Sequence, residues 1–579
     1  MFMKTRKIYA AVLAALVAPA IQAQQEGTYN ESVLVKGSYR PVIEQAEKLN
    51  FPARITDSIT PMSHTFRYNI MPPTRLKALY EPARIKAARI IGEPATRLYN
   101  NYLRLGVGTY WSPLADLYWA STRDREKTYG VQFNHRSSWG GITNYGKNHY
   151  GQTAITLFGK YIVKEKLQLL SDLSYEHDHN LYYGFTDNTL SDVMGLDRDD
   201  ISRSDYRAKY NVIAWNFGVR NMQLDVNKLG YAANLHLSDL WASWHQNEFK
   251  LSLSGDIRYG FGLMRDYMGV AYLRAEWDGY THRFRPEGEM PLGYLPTPIT
   301  DTLRGWRNLL KFNPYVDFIF NGLQFHTGMV LAWDAFTEGQ STTFRFFPDV
   351  VVSKKLMKEA VAVSMGFTGG IDANDWNGLR LVNPYISPNA EQRTTRHYDL
   401  SGHLRWSLSK KLEANAEASF SWMRDDLTFR QDANYQLRNV YIPYYVDDNR
   451  FTLGADLAFV NDEMLTLRAG GHYYKYGSVS TVDEVMPYRP KWDALLSADV
   501  NYNNKWLFHL EGRLLGKMEG DGEELPMRYG INAEVEYRHN KALSFFLTLD
   551  NLAFQRYYYW ANYPSQKGLF MIGLTYTLN

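Results

Sequence analysis

The carboxylates that could do chemistry in this 579-residue chain sit, within each segment, on one parity of residue numbers, with apolar neighbours on the other. Glu413 and Glu417 are interleaved with Leu412, Ala414, Ala416, Ala418, Phe420 and Trp422. Asp493 and Asp499, then Glu511, then Glu534 and Glu536 follow looser versions of the pattern, and His403 and His509 occupy equivalent places. Carboxylates and imidazoles held together can move protons or hold cations. The rest of a catalytic centre is missing. There is no G-x-S-x-G, no P-loop, no H-E-x-x-H and no cysteine. The 14 histidines are scattered, none at the i, i+4 spacing of helical metal ligands. An enzyme on a barrel wall would need a Ser or Asp with a His at one rim. We therefore expect no enzyme, no metal and no cofactor, and read these residues as a polar, acidic wall. Two acidic segments, Asp197-Arg198-Asp199-Asp200 and Glu519-Gly520-Asp521-Gly522-Glu523-Glu524, offer oxygen ligands for calcium. Neither follows an EF-hand pattern, and both read as solvated charged loops.

Such a wall needs an element with two faces. Successive side chains of a strand point to opposite sides, and a transmembrane barrel strand alternates apolar and polar residues over roughly 10 positions. Segments 249–259, 398–408 and 412–422 do this, and 492–502, 506–514 and 529–537 do so more loosely. On a helix the same spacing would spray apolar residues around the axis. Short polar turns at 164–166, 410–411, 461–463 and 503–505 alternate with long polar loops near 180–204, 282–305, 372–395, 425–448, 476–490 and 518–526. That is the rhythm of short periplasmic turns and long extracellular loops. The fold expected is an all-β, transmembrane, up-and-down antiparallel barrel over 98–579, of about 22 strands with 16–20 as the alternative. Trp119, Trp333, Trp422, Trp492, Trp506 and Trp560 fall near inferred strand ends, where amphipathic rings anchor at the headgroups.

Bulk properties agree. Aromatic content is 15%, mean hydropathy is −0.41, and past the first residues no apolar run is long enough for a helical span. With 64 basic and 61 acidic residues there is no case for nucleic acid. The N-terminus reads as a secretory signal peptide over 1–23. Lys4, Arg6 and Lys7 precede an apolar run from Ile8 to Val17, with exit after Ala23 or, alternatively, Ala20. Outer-membrane lipid and, during biogenesis, the barrel-assembly machinery are the partners this implies. From 24 to 97 seven prolines break any regular element, so mostly extended chain is expected, with a short helix at Val42–Leu49. Its basic residues Arg75, Lys77, Arg84, Lys86, Arg89 and Arg97 are opposite in charge to the acidic wall, and in a confined space would be drawn to it. Lumen filling and a solvated periplasmic tether are the two readings.

Several motifs resemble those of TonB-dependent receptors. Tyr488-Arg489-Pro490-Lys491-Trp492 opens a strand, Trp506 opens the next, and Asp550-Asn551-Leu552 through Arg556-Tyr557-Tyr558 leads to a last strand alternating Phe570, Ile572, Leu574, Tyr576 and Leu578. Phe347-Pro348-Asp349-Val350-Val351-Val352-Ser353 is similar to a mid-barrel strand of that family. Glu31 to Pro41, with Val33, Leu34 and Val35 at its centre, resembles the TonB box, a strand offered to a partner's sheet. The resemblance implies an outer-membrane barrel that binds or passes a solute, with TonB or an envelope complex as partner. It departs from the family at the plug, for which 24–97 is too short. A reduced or missing plug is the expectation, and a non-transport scaffold or accessory subunit of an outer-membrane complex is the alternative.

Overall fold

The computed structural model describes residues 100–578 except 122–123, 125, 146, 223–224, 226, 265–266, 286–290, 295–302, 337–342, 462–463 and 479–485. The signal peptide, the segment 24–97, Val33–Val35 and the basic residues from Arg75 to Arg97 lie outside the described residues.

The strands are, in order, β1 (Asn101–Gly108), β2 (Ser112–Ala120), β3 (Lys127–Ser138), β4 (Tyr150–Val163), β5 (Leu167–Leu181), β6 (Arg207–Asn221), β7 (Gly230–Ala242), β8 (Gln246–Met264) and β9 (Tyr267–Phe284). They continue with β10 (Leu303–Phe320), β11 (Leu323–Phe336), β12 (Thr343–Leu356), β13 (Val361–Ala373), β14 (Thr394–Ser407), β15 (Leu412–Gln431), β16 (Tyr441–Asn461), β17 (Leu465–Ser478), β18 (Trp492–Tyr502) and β19 (Trp506–Leu515). A small hairpin, β20 (Met518–Gly520) and β21 (Glu523–Leu525), precedes β22 (Arg528–Arg538) and β23 (Leu543–Asp550). A second, β24 (Tyr558–Trp560) and β25 (Tyr563–Pro564), precedes β26 (Leu569–Leu578). Leaving out the two hairpins, 22 strands form one antiparallel sheet that closes where β26 pairs with β1 from Asn101↔Leu578 to Gly108↔Met571. Sixteen to twenty strands is thereby excluded. Closure leaves no sheet edge, which hydrocarbon requires.

The alternation sorts the faces. Leu157, Leu253, Ile257, Leu496 and Ile572 point outward, 46–63% exposed in the protein alone, and are the surface that lipid covers. Residues of the other parity face the lumen. Strand lengths are uneven. β1, β2, β23 and β26 have 8, 9, 8 and 10 residues, close to the roughly 9–11 that span a bilayer. β15 and β16 have 20 and 21, so their upper halves stand clear of the membrane. This corrects one expectation. The stretch 425–448 is mostly strand, and only 432–440 is loop. Above the bilayer a strand has no lipid to face, so its alternation fades and it reads as polar loop. Trp560 is a second correction. It packs in the β24–β25 hairpin against Phe429 and Tyr488, with ring centroids 5.1 and 4.9 Å apart, and anchors no headgroup.

Candidate functional site: a polar lumen beneath a cap of outer loops

The lumen wall carries its own counter-charges. Glu413 is bound by Arg405 Nε at 2.7 Å, Glu511 by Arg513 at 2.8 Å and Glu534 by Arg104 at 3.0 Å. Asp499 meets His509 Nδ1 at 2.6 Å. Glu417 lies 3.5 Å from His403 and 3.8 Å from His472, and His472 reaches Asp493 at 3.0 Å, so Glu417 and Asp493 are brought into one chain of groups. Glu536 is buried two residues from Glu534 on the same face. Further round, His326 bridges Asp317 at 2.7 Å and Asp349 at 3.2 Å, and His397 sits between Asp372 and Asp399 at 3.4 and 3.5 Å. Cross-strand neighbours in a sheet are near enough for such pairs. The pairing spreads the carboxylates along the wall, and among the described residues no three His, Asp or Glu side chains gather as a metal site. The carboxylates of Asp197–Asp200 and Glu519–Glu524 are taken up by protein groups, and Asp521 accepts from the Tyr488 hydroxyl at 2.6 Å and the Gln431 amide at 3.1 Å. Asp200 accepts from the Asp197 amide at 2.8 Å, and Glu524 pairs with Lys517.

Sequence reading missed the feature that dominates the outer end. Loop 374–393 turns inward and folds into a short helix, α1 (Trp376–Val382). Asp375 is its N-cap, accepting from the Gly378 amide at 2.7 Å, and the same carboxylate takes Lys250 Nζ of β8 at 3.0 Å. Burial would raise the Asp375 carboxyl, but Lys250 and the Gly378 N–H outweigh it and hold it below its ordinary value. Glu248 accepts from the Asn377 amide at 2.9 Å and from the Tyr280 hydroxyl at 3.2 Å. Arg380 donates to Asp178 of β5 at 2.9 Å and lies over the Tyr210 ring at 4.5 Å. Asn180 of β5 donates to the Pro384 carbonyl at 2.8 Å, and two residues on, Ile386 bridges Tyr441 of β16. β16 is eleven strands from β5 in a ring of 22, directly across it. The loop therefore joins opposite walls through the mouth. The signal for it was Asp375-Trp376-x-Gly378-Leu379, an N-cap followed by apolar residues at helical spacing.

Other loops close around it. Tyr182, Tyr183, Tyr206, Leu190, Tyr435, Val440, Tyr488 and Tyr563 join Trp376, Leu379 and Ile386 in one buried core. Tyr385 stacks on Tyr563 at 3.4 Å, and Tyr183 meets Tyr563 edge-on at 5.0 Å. Several of the buried hydroxyls find acceptors. Tyr182 donates to the Ile386 carbonyl at 2.8 Å, Tyr441 to Ala561 at 2.6 Å and Tyr183 to Pro564 at 2.9 Å. Burial, with neighbouring phenols adding to it, pushes Tyr182, Tyr183 and Tyr563 well above the ordinary tyrosine range. The capping loops thus have what a soluble domain has, a contiguous apolar core.

With this geometry in view, the comparisons place the fold. No protein-family model matches the chain, and no curated protein matches its sequence. Solved structures do match. The ferric-catecholate import receptor Fiu of Escherichia coli K12, in its closed form, aligns with a TM-score of 0.62 at 11% identity over 83% of this chain and 82% of that one. The ferric enterobactin receptor PfeA of Pseudomonas aeruginosa aligns at 0.60, 12% identity, 83% and 81%. The pyoverdine receptor FpvA of the same organism aligns at 0.61, 12% identity, 84% and 79%. A related FpvAI structure holds pyocin S2. The chain thus shares the fold of these receptors and is a TonB-dependent receptor-like outer-membrane β-barrel. In this chain the outer mouth is bridged by its own loop 374–393.

Proposed function

We propose that this protein is a gated solute conduit of the outer membrane, held shut at its outer end by its own loops. One observation carries the reading. Loop 374–393 links Asp178 and Asn180 of β5 to Tyr441 of β16 across the mouth. A permanently open pore has no use for such a strut, whereas a receptor that admits one solute has use for a closure that a ligand or a periplasmic pull can release. The paired His and carboxylate residues beneath are the polar path. The protein is not an enzyme in this reading. Its parts are a signal peptide over 1–23, an N-terminal segment over 24–97, and the barrel from 98. Val33–Val35 is the strand offered to TonB or to an envelope complex.

Single-channel recording in planar bilayers tests this. The mature protein is expected to be silent. Replacing 375–391 with a short Gly-Ser turn, in a chain that also lacks 24–97, is expected to produce stable conductance. A mature protein that conducts steadily by itself would sink the proposal. The scaffold reading has one observation in its favour, the domain-like core of the cap, which would be costly to open. It predicts a stoichiometric partner on purification and no ligand that ever opens the barrel.

A further inference from the structure

We infer that the lipid-facing wall holds one anionic phospholipid of the periplasmic leaflet, its acyl chain in a furrow across β14–β18 and its phosphate at Lys354. The floor of the furrow is a cross-strand row whose members are direct partners: Leu404 with Ala416, Ala416 with Ala455, Ala455 with Gly471, and Gly471 with Ala494. The next row toward the outer surface is low on β14 and β15, with Gly402 and Ala418, and tall from β16 to β18, with Leu453, Tyr473 and Trp492 exposed at 48%, 48% and 37%. On the periplasmic side stand Trp406, Leu457 and Leu496, exposed at 45%, 43% and 58%. A shallow, open and almost wholly apolar cleft of about 560 Å³ lies over the floor and the periplasmic row, from Leu404 and Trp406 to Ala494 and Leu496.

Register gives the furrow a slope. Going from β14 to β18, the row lies three residues from the periplasmic strand end at Leu404, four at Ala416, six at Ala455 and Gly471, and eight at Ala494. It therefore starts near the periplasmic interface and climbs toward the bilayer centre. Four strand steps make it about 19 Å long, enough to cross a leaflet about 15 Å deep. The flanking walls, such as Leu453 and Leu457 on β16, are four residues apart, about 13 Å between Cα atoms, and their side chains leave between them a track that suits an alkyl chain.

The shallow end supplies charge. Continued backward, the same row runs from Leu404 to Val363 and then to Lys354, two residues from the end of β12. Lys354 shares the outward face with Val352 and Val350, is exposed, and pairs with no carboxylate among the described residues. Lys410 follows in the turn between β14 and β15 and is also exposed. A lysine on a lipid face is favourable only where its ammonium reaches the headgroups. The furrow thus presents a cation at headgroup level and an apolar track leading inward, which matches a phosphate with an acyl chain attached.

Native mass spectrometry of the detergent-purified full chain, with added phosphatidylglycerol or phosphatidylcholine, tests the site. One phosphatidylglycerol is expected to stay bound under activation that strips phosphatidylcholine. Lys354→Glu is expected to lower its retention about fivefold or more, the scale of one basic residue at an anionic surface. Ala455→Phe, which fills the floor, is expected to abolish it, and Ala494→Leu serves if that variant fails to fold. Ala115→Phe on β2, far from the furrow, is expected to change nothing. Equal retention of both lipids means annular lipid only and overturns the inference. So does unchanged retention in Lys354→Glu and the floor variants, or a copurifying apolar polypeptide in place of lipid.

Discussion

At the scale of residues, the docking of loop 374–393 rests on two buried polar anchors, and they respond to different perturbations. Arg380 and Asp178 are 5% and 17% exposed, so removing the guanidinium leaves a carboxylate with little water to replace it. Breaking such a pair costs roughly 3–5 kcal/mol. Arg380→Ala is expected to expose the loop to protease and hydrogen exchange while the barrel keeps its heat-modifiable migration on gels. Protection equal to wild type would show that the anchor is idle. Asp375 responds to pH. Its folded-state value lies below the ordinary 3.8 because Lys250 and the Gly378 amide favour the carboxylate. Its contribution is complete above the unfolded value and is lost as pH falls through the folded one. Glu248, Lys250, Tyr280 and Arg307 surround it and set that window. On the acid side loop protection should therefore decline below about pH 4, and Asp375→Asn should flatten that decline.

At the scale of elements, the strands were legible and the cap was not, for one reason. Lipid imposes the period of two on every spanning segment, so 249–259, 398–408 and 412–422 declare themselves as parts of β8, β14 and β15. Where lipid ends, the constraint ends. The upper β15–β16 hairpin and loop 374–393 are shaped by contacts with residues hundreds of positions away, such as Asn439 with Tyr182 and Arg380 with Asp178, and no local pattern encodes those. The wall carboxylates from Glu413 to Glu536 could be seen as a set, but not that Arg104, Arg405, Arg513 and the histidines already pair with most of them. Those partners weaken the pull that an unpaired acidic wall would exert on the basic segment 75–97. The cap's tyrosines carry a prediction at this scale. Tyr182, Tyr183 and Tyr563 hold their protons well above the ordinary value of 10.0. Above pH 10 the opened cap releases protons that the closed cap keeps, so closure weakens as pH rises. Phenolate absorbance should show a late, cooperative step that coincides with loss of loop protection. Independent titration of each tyrosine would mean the core is already loose.

At the scale of the whole molecule, the barrel has a tall side and a low side, and the low side contains the seam. β23, β26, β1 and β2 are barely long enough to span, so this wall has the fewest ladder hydrogen bonds to hold it. Its inner surface compensates by packing. Gly573 has no side chain, and a Cβ there would lie 2.2 Å from the Leu105 carbonyl and 2.3 Å from the Phe546 ring. Phe546 can therefore lie flat against the closing strands. Arg104 sits over that ring at 4.1 Å and binds Glu534 at 3.0 Å, with both charged side chains about 95% buried. Three groups on β1, β22 and β23 thus bridge the seam strand β26 from within. If the low side is where the cylinder opens, weakening this bridge should lower the temperature at which the heat-modifiable band converts, by more than an equal change on the tall side. Arg104→Ala leaves Glu534 buried and unpaired, which costs roughly 3–5 kcal/mol. Arg405→Ala breaks an exposed pair with Glu413, worth about 1 kcal/mol or less. The fair comparison is therefore Phe546→Ala against Phe347→Ala. Both rings are buried, at 4% and 1% exposure, and removing either costs roughly 3–5 kcal/mol. A larger drop for Phe546→Ala places the first opening at the seam, and equal drops would show that the ring of strands fails as one unit.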